Sequence, residues 1–516
     1  MNSEALFDAL TDVREEFINE AKEHKFKKSR KALIQRSAIA ASFALILGIG
    51  SLVLFNNDSL PAPGGHTGGG GGRPEGATTF MSYAGPIFPL SLMGDADGVT
   101  AGREIIFDFS EFGETRLLGT DVYLSHNDIM ITDNYVLSND TATDKTIQIL
   151  YPFAGRFSDL YKLRPSVDAN GIMLETNLTA GSYSGGFTGI EGKQGDRVNL
   201  REVDTWEGYL EVLADGEYIR QAFGSFTTPD QTVTIYEFSN VKGDHNKSVA
   251  PTLAASFNLD YDNTVVLTYN FNGGEFNHDM GFMRRSFFTP REGLSGHDNN
   301  YYMLVIGDDI TNLDIRGFEN GACNPREEVD HVTADVRRYE ANLNDMLALM
   351  FADYMDWHLP YEIANGILDL YFRAAVELLF EHGLLAADPA SRYHTGEILE
   401  VFVETFHMER VFYLTAEVEI PAGEGVKLSI AQVKQGSFDF FGGSGSNVGV
   451  SGYDMLTTFS SNLSFTGMAA GLKGSERINI VRQNFGFDLA NGILSVTLDL
   501  QIPHYYLEVV ASVSDD

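Results

Sequence analysis

The sequence predicts a mainly β protein with an α insertion, in which an N-terminal cytoplasmic helix and one transmembrane helix precede extracellular β-sandwich-like modules. Short apolar runs separated by polar turns recur over 80–325 and again from about residue 396, as in antiparallel strands. Between these parts, over about 328–386, apolar residues recur at helical spacing, which predicts a helical hairpin. Nearer the N-terminus, the uncharged apolar run 37–55 is long enough to cross a bilayer.

These patterns divide the chain into segments of different composition. They are a cytoplasmic helical segment (1–36), a transmembrane helix (37–55), a Gly/Pro-rich linker (56–79), a β-rich extracellular domain (80–325), a helical hairpin (326–390) and a second β-rich module (391–516).

The run 37–55 predicts an uncleaved membrane span. Residues 1–36 precede it, which is too long for the basic start of a signal peptide, and no Ala-x-Ala cleavage site follows it. Basic residues cluster between Lys22 and Arg36, whereas none follows the run until Arg73. Because positive charge stays on the cytoplasmic side, the N-terminus is predicted inside and the large C-terminal part outside. The predicted localisation is therefore the cell membrane, with the lipid bilayer as a partner.

Before the span, apolar residues at three- and four-residue steps predict a short amphipathic helix over 3–25. Its apolar face consists of Leu6, Leu10, Val13, Phe17 and Ala21. No intracellular domain is predicted for this face to pack against, so it is a candidate binding face for a cytoplasmic protein partner. The alternatives are that it lies on the membrane surface or packs against a second copy of itself.

The composition limits the classes of partner. The chain has 516 residues with a formal net charge of −36, and the acidic excess falls after residue 36. A strongly acidic surface argues against nucleic acid as a partner, since that binding depends on basic patches. Cys323 is the only cysteine, which excludes an intramolecular disulfide and a multi-cysteine zinc site. It lies in a predicted turn at 321–325, where a structural role is favoured over a reactive one.

Within 80–325 the sequence predicts strands, one hairpin and one helix. The strands are 103–109, 131–137, 146–151, 172–178, 232–238, 264–269 and 302–306. The Asn/Asp/Thr-rich stretch 138–144 predicts that the two strands flanking it form a hairpin. The helix begins after Thr205 or Asp204 as its cap and ends at Gly216.

Over 328–386 the sequence predicts a helix with one apolar stripe, followed by a second helix. The stripe comprises Val332, Val336, Tyr339, Leu343, Met346, Met350 and Tyr354. Pro360 breaks the chain, and the second helix runs through 367–378 toward Gly383. Beyond it, the apolar/acidic alternation over 416–420 predicts an antiparallel strand with one solvated face.

The sequence contains no known catalytic or nucleotide-binding motif, and no catalytic residue, cofactor or metal ligand is assigned. Weak candidates for metal or acid–base chemistry are Asp95, Asp97, Asp308, Asp309, Glu400, Glu404, His245, His278 and His297. For the aspartates a solvated turn or strand end is favoured over calcium binding, because a complete set of ligands is missing. A metal site would require the histidines to converge, and the glutamates could form an acid–base pair only if folding set a suitable separation.

Six strings of the C-terminal part are YPFAG (151–155), GEYI (216–219), RYE (338–340), RVFY (410–413), RQNFGFDL (482–489) and PHYYLE (503–508). In these strings the chain resembles a family of uncharacterised single-pass membrane proteins of clostridia-like Gram-positive bacteria. The resemblance implies no activity and no catalytic residues. The strings at 6–10 and 15–21 are similar to the inner end of membrane-tethered, anti-sigma-type regulators, although the His-x3-Cys-x2-Cys pattern of zinc anti-sigma domains is missing.

The sequence therefore predicts a non-enzymatic, membrane-anchored envelope protein whose large acidic extracellular region binds or senses an unknown ligand. A regulatory form would use the helix at 3–25 to hold a cytoplasmic partner. The alternatives are a surface adhesion or glycan-binding protein, and an envelope hydrolase whose catalytic residues are not evident from motifs.

Overall fold

The computed structural model describes most of the chain beyond residue 82. The described residues are 83–118, 122–182, 187–188, 197–198, 205–214, 216–291, 300–358, 367–387, 392, 396–438 and 449–512. Within them the chain is mainly β, with several sheets and few helices, which confirms the predicted fold class at that level. The predicted N-terminal helix, apolar run and linker lie outside the described residues.

The strands are short and numerous. In chain order they are β1 Ser91–Met93, β2 Val99–Asp108, β3 Arg116–Leu118, β4 Val122–Leu124, β5 Asp128–Asn139, β6 Lys145–Gly155, β7 Ser166–Ala169, β8 Ile172–Met173, β9 Asn177–Ala180, β10 Phe187–Thr188, β11 Arg197–Val198, β12 Thr232–Lys242, β13 Thr252–Asn258, β14 Thr264–Tyr269, β15 Gly273–Asn277, β16 Phe282–Phe288, β17 Tyr301–Gly307, β18 Thr311–Phe318, β19 Thr333–Asn342, β20 Arg410–Ile420, β21 Gly425–Gln435, β22 Ser437–Phe438, β23 Ser451–Leu456, β24 Ser464–Lys473, β25 Ile478–Gln483, β26 Ser495–Thr497 and β27 His504–Ala511. The α-helices are α1 Leu160–Leu163, α2 Trp206–Leu213, α3 Glu217–Ala222, α4 Leu343–His358, α5 Ile367–Glu381 and α6 Ile398–His407.

Two of the sheets form a β-sandwich from one stretch of chain, 232–342. Their strand orders are β14-β17-β12-β19 and β15-β16-β13-β18, and all neighbouring pairs are antiparallel. Apolar side chains of both inner faces fill the space between the sheets, among them Phe238, Phe257, Phe287 and Met303. The other face of the first sheet packs against α4, α5 and α6 in a second core that includes Ile235, Leu304, Met350, Tyr371 and Phe402.

Other sheets combine two stretches of chain that lie far apart in sequence. β6 pairs with β20 in a continuous antiparallel ladder from Lys145↔Ile420 to Gly155↔Arg410. In the seven-stranded sheet β26-β24-β2-β5-β21-β7-β8, β5 pairs with β21 and β2 pairs in parallel with β24. These ladders join strands from both sides of the segment boundaries predicted at 325 and 390. In sequence, the sandwich and the helices α4 to α6 lie between the paired strands.

A four-stranded sheet near the C-terminus has the order β22-β23-β27-β25. It packs against the seven-stranded sheet through a core that includes Ile105, Phe107, Ile131, Met455 and Leu507. β25 lies at one edge of this sheet: β27 pairs with one side of it, and no other described strand pairs with it. This edge positions the groove described below.

The helix predicted after Thr205 is confirmed as α2. The Thr205 hydroxyl accepts a hydrogen bond from the Gly208 amide at 3.2 Å, which caps the first turn. Gly216 has φ of +71° and lies between α2 and α3, so the chain changes direction where the sequence predicts a helix end.

Two local predictions are wrong. β5 and β6, predicted as a hairpin, lie in different sheets, because β2 and β21 occupy the edges of β5 while β1 and β20 occupy those of β6. The helical stripe predicted from Val332 begins too early, since Thr333–Asn342 is a strand and α4 begins only at Leu343. The ladder between β19 and β12 satisfies the backbone of that stretch and fixes it as a strand.

The predicted single-pass membrane localisation is corrected. No helix among the described residues is long and apolar enough to cross a bilayer. The apolar run 37–55, from which the prediction came, lies outside the described residues.

Candidate functional site

An open groove of about 750 Å³ lies beside strand β25. Its lining residues come from β25 and from the turn that follows over 486–493. They are Asn479, Ile480, Val481, Arg482, Gln483, Gly486, Phe487, Asp488, Leu489 and Ile493. The volume falls within the range of about 300–1,000 Å³ that is typical of ligand sites, and we call this feature the β25 groove.

Local hydrogen bonds hold the turn that forms one wall of the β25 groove. Gln483 Oε1 accepts from the amides of Gly486 and Phe487 at 3.2 and 3.0 Å, while its Nε2 donates to the Phe487 carbonyl at 2.6 Å. Asp488 and Ile493 exchange both backbone hydrogen bonds, at 3.0 and 2.8 Å. Gly486 has φ of +94°, a conformation that favours glycine. The wall is therefore formed before any ligand arrives.

The groove exposes two β-branched side chains. Val481 is 42 % exposed and Ile493 is 44 % exposed, and one comes from each wall. The ladder to β27 shifts register between Ile480 and Arg482, which makes Val481 the extra residue of a β-bulge. Bulges re-aim side chains at sheet edges, and this one accounts for the exposure of Val481 beside the groove.

The charged side chains of the groove leave it with a negative balance. Arg482 is neutralised by an ion pair with Glu508, whose side chain is almost completely buried. Asp488 Oδ1 and Oδ2 accept hydrogen bonds from the amide and the side-chain Nδ2 of Asn491 at 3.1 and 2.7 Å. These bonds lower the pKa of the Asp488 carboxyl, so it stays ionised at neutral pH.

A buried polar cluster surrounds Asp454 on β23. The Tyr83 hydroxyl donates to Asp454 Oδ2, and His504 Nε2 on β27 lies 2.8 Å from the same oxygen. The His504 ring stacks on Trp206 with centroids 4.4 Å apart and 9° between the planes. Burial raises the pKa of Tyr83, which remains a neutral donor. The cluster joins the chain near residue 83 to β23, β27 and α2.

The amine of Lys434 is buried in a second polar region. It donates to the carbonyls of Ala84 and Gly85 at 2.6 and 2.5 Å, and burial lowers its pKa to about 8. Lys434 lines a cavity of about 30 Å³ together with Glu409 and Arg156, which form an ion pair. A cavity of this size has room for about one or two water molecules, so it cannot take an organic substrate.

A third buried group links the start of α6 to the sandwich. Glu397 Oε2 accepts from the Thr268 hydroxyl at 2.6 Å and pairs with Arg285 Nη2 at 2.9 Å. Glu397 Oε1 and Arg285 Nε are buried and have no hydrogen-bond partner among the described residues. Burial raises the pKa of the Glu397 carboxyl to about 8, although Arg285 acts in the opposite direction.

Of the three candidate histidines, the structure describes His245 and His278, which lie in separate contacts. His245 Nε2 lies 3.2 Å from the Pro290 carbonyl, and the His278 ring stacks on Tyr261 with centroids 3.9 Å apart. His297 lies outside the described residues. In the part of the chain that the structure describes, no group of three or more His, Cys, Asp or Glu side chains could hold a metal ion.

The candidate carboxylates have structural surroundings. Asp309 accepts from the Tyr236 hydroxyl at 2.9 Å and pairs with Arg338 at 2.7 Å, whereas the neighbouring Asp308 lies in the turn after β17. Glu400 and Glu404 both lie on α6, one turn apart. The structure therefore places this pair on a helix.

The remaining candidates lie in turns. Asp95 Oδ1 accepts from the Asp97 amide at 2.9 Å, an arrangement that closes a local turn. Cys323 lies in a turn with φ of 50° and is only 2 % exposed, which confirms its predicted turn. Burial raises the pKa of its thiol, and this disfavours the reactive thiolate.

Sequence reasoning did not single out the β25 groove. The string at 482–489 carries part of the family resemblance and overlaps the groove, but no motif marks it as a sheet edge. The predicted partner-binding face, Leu6, Leu10, Val13, Phe17 and Ala21, lies outside the described residues. Comparisons of the chain with protein-family models, curated proteins and solved structures found no match.

Proposed function

We propose that this chain is a non-enzymatic binding protein that takes its ligand in the β25 groove. The observation that carries the proposal is an open groove of about 750 Å³ at a sheet edge, walled by a turn that its own hydrogen bonds hold in place. A preformed site loses little conformational entropy on binding, so its contacts contribute more fully to affinity.

The side chains that line the groove support a binding role. Gln483 and Asp488 use their side chains to fix the turn, and Arg482 is engaged by Glu508. These polar groups therefore shape and orient the site. Exposed Val481 and Ile493 supply the apolar contact that a ligand would cover.

The test compares the full-length protein with two variants. A phage-displayed peptide library and a glycan array are each probed with the natural protein, with Ile493→Asp and with Val249→Asp. Val249 is 93 % exposed and lies in the sandwich stretch, so its substitution is a control for a new surface charge. We expect Ile493→Asp to weaken retained ligands by about ten-fold or more and Val249→Asp to leave them unchanged.

Equal retention by all three proteins would overturn the proposal. Retention on glycans that is insensitive to Ile493→Asp would instead favour the glycan-binding alternative at another surface. The regulatory form predicted from Leu6–Ala21 is a separate proposal, tested by recovering a protein partner with residues 1–36 as bait; recovery of background proteins alone would contradict it.

A further inference from the structure

One edge of β25 has no strand partner among the described residues. β27 pairs along the other edge from Ile478↔Ala511 to Gln483↔Leu507. The backbone amides and carbonyls on a free edge need water or another strand as a partner. Such an edge can accept an extended polypeptide as an added strand, with main-chain hydrogen bonds for affinity and side-chain pockets for selectivity.

The β25 groove runs along this edge. Five consecutive residues of the strand, Asn479 to Gln483, line it. Since side chains alternate between the two faces of a strand, a groove that all five residues line lies along the strand edge. At about 3.3 Å per residue, β25 can pair with a short segment of about 20 Å. The turn over 486–493 stands opposite and limits how wide the occupant can be.

The bulge sets where the occupant needs an apolar side chain. Val481 interrupts the regular pairing and lies exposed in the groove, and Ile493 is exposed on the opposite wall. Side chains alternate between the two faces of a strand, so every second side chain of an added strand would face Val481 and Ile493. An apolar residue at alternate positions would cover Val481 and Ile493.

The charge of the groove determines whether a basic or an acidic segment binds there. Only two of its lining side chains are charged, and Arg482 is already neutralised by Glu508. The ionised Asp488 remains, on a chain whose formal net charge is −36. A basic segment is attracted at short range and at long range, whereas an acidic segment is repelled.

Building on the proposed function, we infer that the ligand of the β25 groove is an extended, basic polypeptide segment that adds a strand to the free edge of β25. Basic residues alternate with apolar ones in this segment. It binds by main-chain pairing beside Val481 and by charge attraction to Asp488.

The probe is a capped peptide of alternating Lys and Val, with fluorescence anisotropy measured against the full-length protein. Two matched peptides accompany it: alternating Glu and Val, and the Lys–Val peptide with every amide N-methylated. The methylated peptide keeps every side chain but has no main-chain N–H donor on either edge. We expect the Lys–Val peptide to bind, the methylated peptide to bind about ten-fold or more weakly, and the Glu–Val peptide not to bind.

Variants separate the two parts of the inference. Asp488→Asn keeps the oxygen acceptor for the Asn491 amide and loses the one for Asn491 Nδ2. Because the backbone bonds between Asp488 and Ile493 remain, we expect the turn to persist and the Lys–Val peptide to bind about two- to five-fold more weakly at low salt, with a smaller effect at high salt. Hydrogen exchange of the β25 amides should slow when the Lys–Val peptide is bound. Unchanged affinity in Asp488→Asn would overturn the charge selection.

The outcomes also distinguish this inference from the proposed function. If the Lys–Val and methylated peptides bind equally and Ile493→Asp weakens both, the groove binds ligand but strand addition is wrong. If Glu–Val binds more tightly than Lys–Val, the basic character is wrong. If Ile493→Asp and Val249→Asp bind every retained ligand as the natural protein does, the proposed function itself fails.

Discussion

Arg103 and Asp133 form an ion pair whose two side chains are fully buried between sheets. Arg103 Nε and Nη2 reach the two carboxylate oxygens at 2.9 Å each, and the Tyr135 hydroxyl donates to Asp133 Oδ2 at 2.8 Å. Arg103 Nη1 also donates to the Leu456 carbonyl at 2.8 Å. Each charge is therefore compensated in a region where an isolated charge would be expensive.

Removing one partner of this pair should destabilise the protein strongly. We expect Asp133→Ala to lower the free energy of unfolding by about 3–5 kcal/mol, because it leaves the Arg103 charge buried and uncompensated. Urea unfolding followed by circular dichroism measures the change. Asp314→Ala, which breaks the exposed pair with Arg316, is the control and should leave the midpoint unchanged. Equal losses in both variants would contradict the role of burial.

Glu397 should make stability depend on pH. Its pKa is about 8 in the folded chain against an ordinary value of 4.5, so the folded state holds a proton that the unfolded state releases. The stabilisation from this bound proton is fully present below pH 4.5 and is lost as pH rises through about 8. Glu397→Gln should therefore gain stability relative to the natural protein as pH rises from 5 to 8.

Urea midpoints measured at intervals across that window give the difference curve. A difference that stays flat between pH 5 and 8 would show that Glu397 has the same proton occupancy in both states. Glu417→Gln, at an exposed position of β20, is the control for a lost carboxylate.

Two glycines lie in turns whose left-handed backbone is costly for most other residues. Gly307 ends β17 with φ of +95°, and a Cβ there would lie 1.9 Å from the Asn263 carbonyl oxygen. Gly423 also has a positive φ, of +68°, but a Cβ there would meet nothing within 4 Å. The two positions share backbone strain and differ in available space.

Alanine substitutions at these positions separate strain from steric clash. We expect Gly423→Ala to cost about 1–2 kcal/mol for its left-handed backbone. Gly307→Ala should cost more by about 1–3 kcal/mol, since the backbone of Asn263 must also move. Thermal and urea unfolding measure both, and equal costs would show that the turn after β17 relaxes freely.

Hydrophobic periodicity in the sequence predicted strands and helices best where one face of the element is buried against a single core. The alternation over 416–420 appears in β20 as buried and exposed residues in turn, and the cap at Thr205 begins α2 as predicted. The helix prediction from Val332 to Tyr339 is wrong because a short apolar pattern fits both a helix and a strand. Pairing with β12 decides between the two. The hairpin prediction at 131–151 is wrong because it assumed that two strands adjacent in sequence pair with each other. In the structure, other strands occupy the edges of β5 and β6.

At the scale of the whole molecule, the sheet order explains why the candidate site could not be predicted. The β25 groove exists because β25 lies at a sheet edge next to β27, and that order depends on every other pairing in the sheet. The residues themselves, such as Val481 and Ile493, have ordinary strand and turn character. Local sequence therefore predicts the strands but not which of them remain open to a ligand.

The shared sheets should behave as one cooperative unit. Ile149 on β6 is 1 % exposed and lies opposite Ala416 on β20. We expect Ile149→Ala to cost about 2–5 kcal/mol and to speed hydrogen exchange in both β6 and β20, although they are far apart in sequence. Exchange in β13 and β16 of the sandwich should change less. Faster exchange confined to β6 would contradict a shared unit.

The long-range pairing of β6 with β20 also determines which strands can pair first while the chain is being synthesised on the ribosome. The partner of Lys145–Gly155 begins only at Arg410, so at about 5–20 residues per second tens of seconds pass before it is made. During this interval the edge of β6 that pairs with β20 lacks its partner, although β1 on the other edge has already been made, and the sandwich at 232–342, whose strands are contiguous, can pair first. The edge of β6 toward β20 thus stays unpaired until Arg410–Ile420 has been made, late in synthesis.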